Sequence, residues 1–294
     1  MKKILSFDVG GTKIAYAVVD ELGQFVGEVN KTPTPKSAEE IRLFFQNTIR
    51  QYYDKIDGVA FSTAGAVNAE GTRIISFTGN LPVGYNQTDF LSLTDKPVVV
   101  ENDANSAGWA EYALGAAQGC QNAVILTIGT CVGAGIIVNG RLLKGKSGAA
   151  GEMHFPIDSG HKRRCQGCGM WDCFESFASG TGLGKFAAEI LGDGATGYNV
   201  ISGKQQGEPK CEQAFNLWQD YLIKGIITLG NIFDPEAVVL SGSLGALVEY
   251  AKVEAAVNAD ILTPALKLYP ARFANDAGLI GAALLACKKL SETV

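Results

Sequence analysis

Short apolar blocks separated by glycine turns fill the start of the chain, and helical spacing enters only after three of them. Ile4–Asp8, Lys13–Val19 and Gln24–Lys31 flank the turns Gly10-Gly11-Thr12 and Asp20–Gly23, which predicts three successive strands. From Ser37 to about Tyr53, Ile41, Phe44, Phe45, Thr48 and Ile49 recur on one helical face, with Ser37 as the N-cap. Gly58–Ser62 and Pro97–Glu101 read as buried strands. Asn105–Leu114 reads as a helix, with Asn105 as its cap.

The pattern then restarts. Ala123–Ile128, Gly135–Val138 and Arg141–Leu143 form a second group of strands around the hairpin signal Asn139-Gly140. Helices at about Gly182–Leu191 and Cys211–Phe233 and a strand at Ala237–Ser241 follow. Two β-β-β-α-β-α halves joined near Gly115–Asn122 predict an α/β fold of two duplicated lobes. Residues 1–117 form the smaller lobe and 118–276 the larger, and a last helix over 277–294 packs back on the first.

Composition narrows this picture little. Of 294 residues, 47% are hydrophobic and 19% charged, as in soluble globular proteins, and the net charge of −5 opposes a general nucleic-acid surface. Met1-Lys2-Lys3 has the charge of a secretory leader, but the apolar stretch Ile4–Val9 is short and broken by Ser6 and Asp8. No run approaches the ~18 apolar residues of a membrane span. Of seven cysteines, Cys120, Cys131, Cys211 and Cys287 are scattered, whereas Cys165, Cys168 and Cys173 are bunched. Bunched thiols suggest metal ligation in a reducing compartment, hence a cytoplasmic protein.

The chemistry gathers at the turns. Asp8-Val9-Gly10-Gly11-Thr12-Lys13 lets backbone approach a phosphate, with Thr12 and Lys13 as donors, although a plain hairpin has the same composition. The second half repeats the device at Thr127–Gly135, with Gly129, Thr130 and Gly133, and paired loops suit one polyphosphate held from both sides. Val238–Gly245, with Gly242 after the strand, reads as a third phosphate element or as a simple strand-to-helix turn. Glu101-Asn102-Asp103-Ala104-Asn105 closes a buried strand, where an α/β sheet carries its chemistry, and Asp103 suits a base that accepts a hydroxyl proton. Both histidines, His154 and His161, precede the bunched cysteines. Three thiolates and one imidazole make a closed structural zinc set, with either histidine as the fourth ligand. Glu152 and Glu175 flank the set, as sugar-hydroxyl acceptors or as solvated surface acids.

Taken in order, Asp8–Lys13, Ser62–Val67, Glu101–Asn105, Leu126–Gly135, Gly151–His154, Cys165–Glu175, Ser179–Gly182 and Asp276–Ala283 resemble the ROK family (repressor, open reading frame, kinase). The resemblance implies an actin-like ATPase (ribonuclease H-like) fold with a cleft between lobes, and a homodimer. It implies ATP-dependent phosphorylation of the 6-hydroxyl of a hexose or N-acetylhexosamine, leaning to glucose or N-acetylmannosamine, with Mg2+ and structural zinc. By position it makes Asp103 the general base. Gly65, Asn80, Asn102, Asp103, Glu152, His154 and Glu175 become sugar contacts, and His154, Cys165, Cys168 and Cys173 zinc ligands. Asp8 would orient Mg–ATP, with Gly10, Gly11, Thr12, Lys13, Gly129, Thr130, Gly133 and Gly242 along the nucleotide. A DNA-binding repressor is disfavoured because Asp8 follows the start so closely. A sugar sensor that does not catalyse, and specificity for fructose or a β-glucoside, are the alternatives. The chain departs from the family in its shortened Gly151-Glu152-Met153-His154, in two residues between Cys165 and Cys168, and in Cys131 where a glycine is usual.

Overall fold

The computed structural model describes residues 1–76, 80–157 and 159–292. In chain order the first half comprises β1 (Lys3–Val9), β2 (Lys13–Asp20), β3 (Asn30–Pro33), α1 (Ala38–Tyr52), β4 (Gly58–Thr63), β5 (Val98–Asn102) and α2 (Asp103–Leu114). The second comprises β6 (Ala123–Ile128), β7 (Val132–Val138), β8 (Arg141–Leu142), α3 (Glu175–Ala178), α4 (Gly180–Leu191), α5 (Gly197–Gln205), α6 (Pro209–Phe233), β9 (Ala237–Ser241), α7 (Gly242–Gly245), α8 (Tyr250–Asp260), β10 (Lys267–Pro270) and α9 (Ala277–Glu292).

The described residues form two five-stranded sheets, ordered β3-β2-β1-β4-β5 and β8-β7-β6-β9-β10. Each has an antiparallel hairpin on one side and parallel strands on the other, and the strand orders superimpose term for term. The central strands β4 and β9 are buried along their whole length, which is why their sequences are unbroken apolar runs rather than alternating ones.

The first sheet packs on α1 through Phe7, Phe45, Phe61 and Phe90, with Phe7 and Phe61 stacked 5.0 Å apart. Such pairs add about 0.5–1.5 kcal/mol beyond their burial. Helix α1 begins in a capping box: Ser37 Oγ accepts from the Glu40 N–H, and Glu40 Oε2 accepts from the Ser37 N–H. The second sheet packs on α3, α4 and α6 through Phe174, Phe177, Phe186 and Trp218. Between the sheets lie α2 and α9. Ala107, Trp109 and Ile280 cluster with Ile125 and Val239 of the second sheet, while Ala282, Ala283 and Ala286 cluster with Ile4, Ala60 and Val99 of the first.

The structure corrects several boundaries. The third strand runs from Asn30 to Pro33, not over Gln24–Lys31. Residues 24–26 instead fold back on β2, where Val26 N–H donates to the Val18 carbonyl at 2.8 Å, and Gly27 at φ 99° ends that contact. Helix α2 starts at Asp103 and is capped by Asn102 rather than Asn105, because Asn102 is extended and its Oδ1 reaches the N–H groups of both Ala104 and Asn105. Strand β7 begins at Val132, which shortens the second glycine loop to Gly129–Cys131. Residues 293–294, expected in the last helix, lie outside the described residues.

Candidate active site

The two glycine turns and the strand end converge where α2 begins. Asn102 caps this helix and uses its other atoms as a clamp: Nδ2 donates to the Gly65 carbonyl at 3.0 Å, so Gly65 and Asn102 form one wall. Asp103 is the first residue of the helix, and its Oδ1 accepts from the Ala104 N–H at 2.8 Å. Asp103 is solvent-accessible, with protein crowded around its carboxylate. Enclosure first, then the charges of Asp8 and Glu152, push its pKa up to about 6, against the two hydrogen bonds from its own helix terminus. The acid is thus flanked by one carboxylate from each half.

On the first-half side, Asp8 lies one residue before the end of β1, beside Ser62 of β4, whose Oγ donates to Asp8 Oδ1 at 2.8 Å. Burial raises the Asp8 pKa, the Ser62 hydrogen bond and Lys13 lower it, and Asp276 raises it further. A divalent cation beside Asp8 would reverse that penalty. A Cβ on Gly278 would lie 2.7 Å from Asp8 Oδ1 and 2.9 Å from Ser62 Oγ, so only glycine lets α9 approach the pair. The Gly10–Lys13 turn is tied to β3 by Thr34, which donates to the carbonyls of Gly10 and Thr12. The Asn80 backbone lies against Gly11, so Asn80 sits over this turn with an exposed side chain.

On the other side, the Gly129–Cys131 loop is bound to the start of α4. Gly180 N–H donates to the Gly129 carbonyl at 2.7 Å, and Thr181 Oγ1 donates to the Thr130 carbonyl at 2.8 Å. Gly133 touches α2 so closely that a Cβ would stand 2.7 Å from the Ala104 Cβ. Gly242 follows β9 and starts α7, against Ile128 of β6. That helix is a single turn and brings little dipole to the site.

Glu152 pairs with Gly133 in an isolated bridge, and Glu175, almost fully buried, accepts from the Val132 N–H at 3.3 Å. Both glutamates are therefore attached to the start of β7, directly after the second glycine loop. His154 stands between Glu152 and the cysteines, with Nε2 3.7 Å from Glu152 and Nδ1 3.5 Å from Cys173 Sγ. The ligand atoms of His154, Cys165, Cys168 and Cys173 all lie within 4.8 Å of one another. Three thiols and one imidazole so placed fit a tetrahedral zinc ion. Burial and its neighbouring thiols push Cys173 up to about 12, a penalty that a bound dication reverses. His161 is elsewhere, edge-on to Phe186 and Tyr221 and 4.0 Å from Glu189.

Sequence reasoning assigned no role to Asp276, Ser62 or Thr181, although Ser62, Asp276 and the start of α4 belong to the motif segments. It also missed Lys144, which meets Glu101 across the two halves.

Two sheets of identical order, each opening on a glycine hairpin with the acids between them, define an α/β protein of the actin-like ATPase fold. The ROK family profile matches residues 4–289, and the chain belongs to that family. The N-acetylmannosamine kinase of Yersinia pestis (strain Pestoides F) is 34% identical over 97% of this chain and 99% of its own length. Among solved structures, a ROK glucokinase from Streptomyces griseus, in complex with glucose and AMPPNP, is 30% identical with a TM-score of 0.81, covering 97% of this chain and 99% of that one. The ROK hexokinase of Thermus thermophilus is 31% identical, with a TM-score of 0.81 and 99% of each chain covered. Among the described residues no helix is long and apolar enough to cross a membrane.

Proposed function

We propose that this protein is an ATP-dependent sugar kinase that phosphorylates the 6-hydroxyl of a hexose or N-acetylhexosamine. The observation that carries the reading is the setting of Asp103: a carboxylate with pKa about 6, flanked by Asp8 and Glu152, at a helix start that touches Gly133 of β7, just after the second glycine loop. At neutral pH it is ionised yet basic enough to accept the hydroxyl proton as the sugar oxygen attacks the γ-phosphorus and the bond to the ADP oxygen breaks. Gly65, Asn80, Asn102, Glu152, His154 and Glu175 bind and orient the sugar. Gly10–Lys13, Gly129, Thr130, Gly133 and Gly242 run along the nucleotide, and Asp8 with Asp276 holds Mg2+. Zinc on His154, Cys165, Cys168 and Cys173 supplies cross-linking, and His154 spans that set and Glu152.

Glucose and N-acetylmannosamine are the favoured substrates, following the kinase names of the relatives. The lobe boundary near residue 117, a homodimer and a cytoplasmic setting belong to the same reading. Its test is ADP release across a panel of hexoses and amino sugars, for the wild type and for Asp103→Asn, with sugar binding measured alongside. Turnover lost in the variant with binding kept supports the base; turnover kept refutes it. Binding without turnover in the wild type would make the protein a sensor.

A further inference from the structure

Glu101 is a buried carboxylate that the proposed reaction does not use. It lies in β5 two residues before Asp103 and is 2% exposed. Its Oε1 accepts from the Asn102 backbone N–H at 3.0 Å and from Asn105 Nδ2 at 3.0 Å. Its Oε2 takes Lys144 Nζ at 2.6 Å. Lys144 follows β8 in the other half, and it also donates to the Ala69 carbonyl at 3.4 Å. An unpaired carboxylate at this depth is costly, and the ion pair and both hydrogen bonds together give each oxygen of Glu101 a partner. One carboxylate therefore grips the peptide ahead of Asp103 and the first turn of its helix, while a cation from the opposite half grips that carboxylate. The pair is reached from solvent through a cavity of about 610 Å³ that it lines with Val99, Trp109 and Lys288.

We propose that Glu101 and Lys144 are positioning residues, an ion pair between the halves that sets the Asn102–Asp103 turn in line for proton transfer. The proposal rests on Asp103 being the base. Lys144 keeps 23% of its side chain accessible, so its replacement leaves no large buried void. In the full-length protein, Lys144→Met and Glu101→Gln are expected to lower kcat about tenfold, since small misplacements of a reacting group cost this much or more. KM for ATP should stay within about twofold of wild type, because the nucleotide-binding groups are untouched, and the sugar KM should rise by less than kcat falls, since Glu101 holds the Asn102 backbone and not its side chain. The double variant should lose no more than the worse single one, and Lys144→Arg should recover most of the rate.

A wild-type kcat in Lys144→Met, or losses that multiply in the double variant, would overturn the proposal. So would a rise in KM with kcat kept, which a merely structural role produces. Asp103→Asn measured in parallel separates the two readings. If it retains turnover, the assignment of the base falls and this proposal with it. If it is inactive while Lys144→Met is normal, only the ion-pair role falls.

Discussion

Between β3 and β4 the first half places one helix, α1, whereas between β8 and β9 the second half inserts the cysteine loop and four helices, α3 to α6. The sheets themselves match strand for strand. The glycine hairpins are equivalent in the two halves, and the largest insertion falls in the crossover before β9, where a chain segment can grow without breaking a ladder. The cores differ accordingly. Phe7, Phe45, Phe61 and Phe90 pack together in the core of the first half. In the second, the loop before α3 is anchored by Arg163, buried 3.9 Å from the Phe186 ring centroid and bonded to Glu189, and by the thiol cluster. The first half provides Asp103; the second provides Glu152, Glu175 and the histidine–cysteine cluster beside them.

This division of labour can be broken at graded points. The largest effect falls on Asp103. Asp103→Asn should lower kcat by about a thousandfold, within the range for a lost general base. In the wild type, kcat should fall as pH drops through about 6, and the variant should lose that dependence. The sign for stability is opposite. A carboxyl whose pKa is raised by folding disfavours the folded state once ionised, so Asp103→Asn should melt no lower than wild type above pH 6 and equally below about pH 4. A lower melting point of the variant at pH 8 would contradict the enclosed setting.

Next comes the metal set. Cys173→Ser should abolish a zinc content of about one per chain and raise the sugar KM about tenfold or more, with the ATP KM little changed. Equal effects on both KM values would show that the cluster serves the whole protein and not the glutamate side.

Gly133→Ala tests the contact between the halves. The new Cβ meets Ala104 at 2.7 Å and Thr127 Oγ1 at 2.9 Å, so α2 must shift. A loss of about 1–3 kcal/mol in stability is expected, read by denaturant titration, together with a lower kcat. Unchanged kcat would uncouple the loop from the base.

The smallest effect concerns Cys131. Partial burial, then the Glu175 charge, push its thiol up to about 11, so this exposed cysteine should react slowly with disulfide reagents at neutral pH. Rapid modification would mean that Glu175 lies elsewhere.

Much of the fold was legible because its strands are unusually apolar and its turns unusually rich in glycine. The strands β1, β2, β4, β6 and β9 fall where periodicity puts them, as does α1 with its Ser37 cap. Helices α5 and α8 and strand β10 escaped notice. Helix α5 buries only Val200 and Gly203, α8 only Val253 and Val257, and β10 only Leu268, too few positions to establish a period. Asn102 and Asn105 offer the same capping chemistry three residues apart, and only backbone dihedrals choose between them.

The sequence by itself determined the duplication, the paired hairpins and the family, since all three are carried by short contiguous segments. Tertiary structure decided which histidine joins the cysteines. His161 is nearer in sequence, yet it lies against aromatic rings of α3, α4 and α6, while His154 comes to the thiols. It also decided the basicity of Asp103 and the meeting of Glu101 with Lys144. Those properties depend on charges brought together from distant parts of the chain, and Coulomb energies follow distance in space, not separation along the chain.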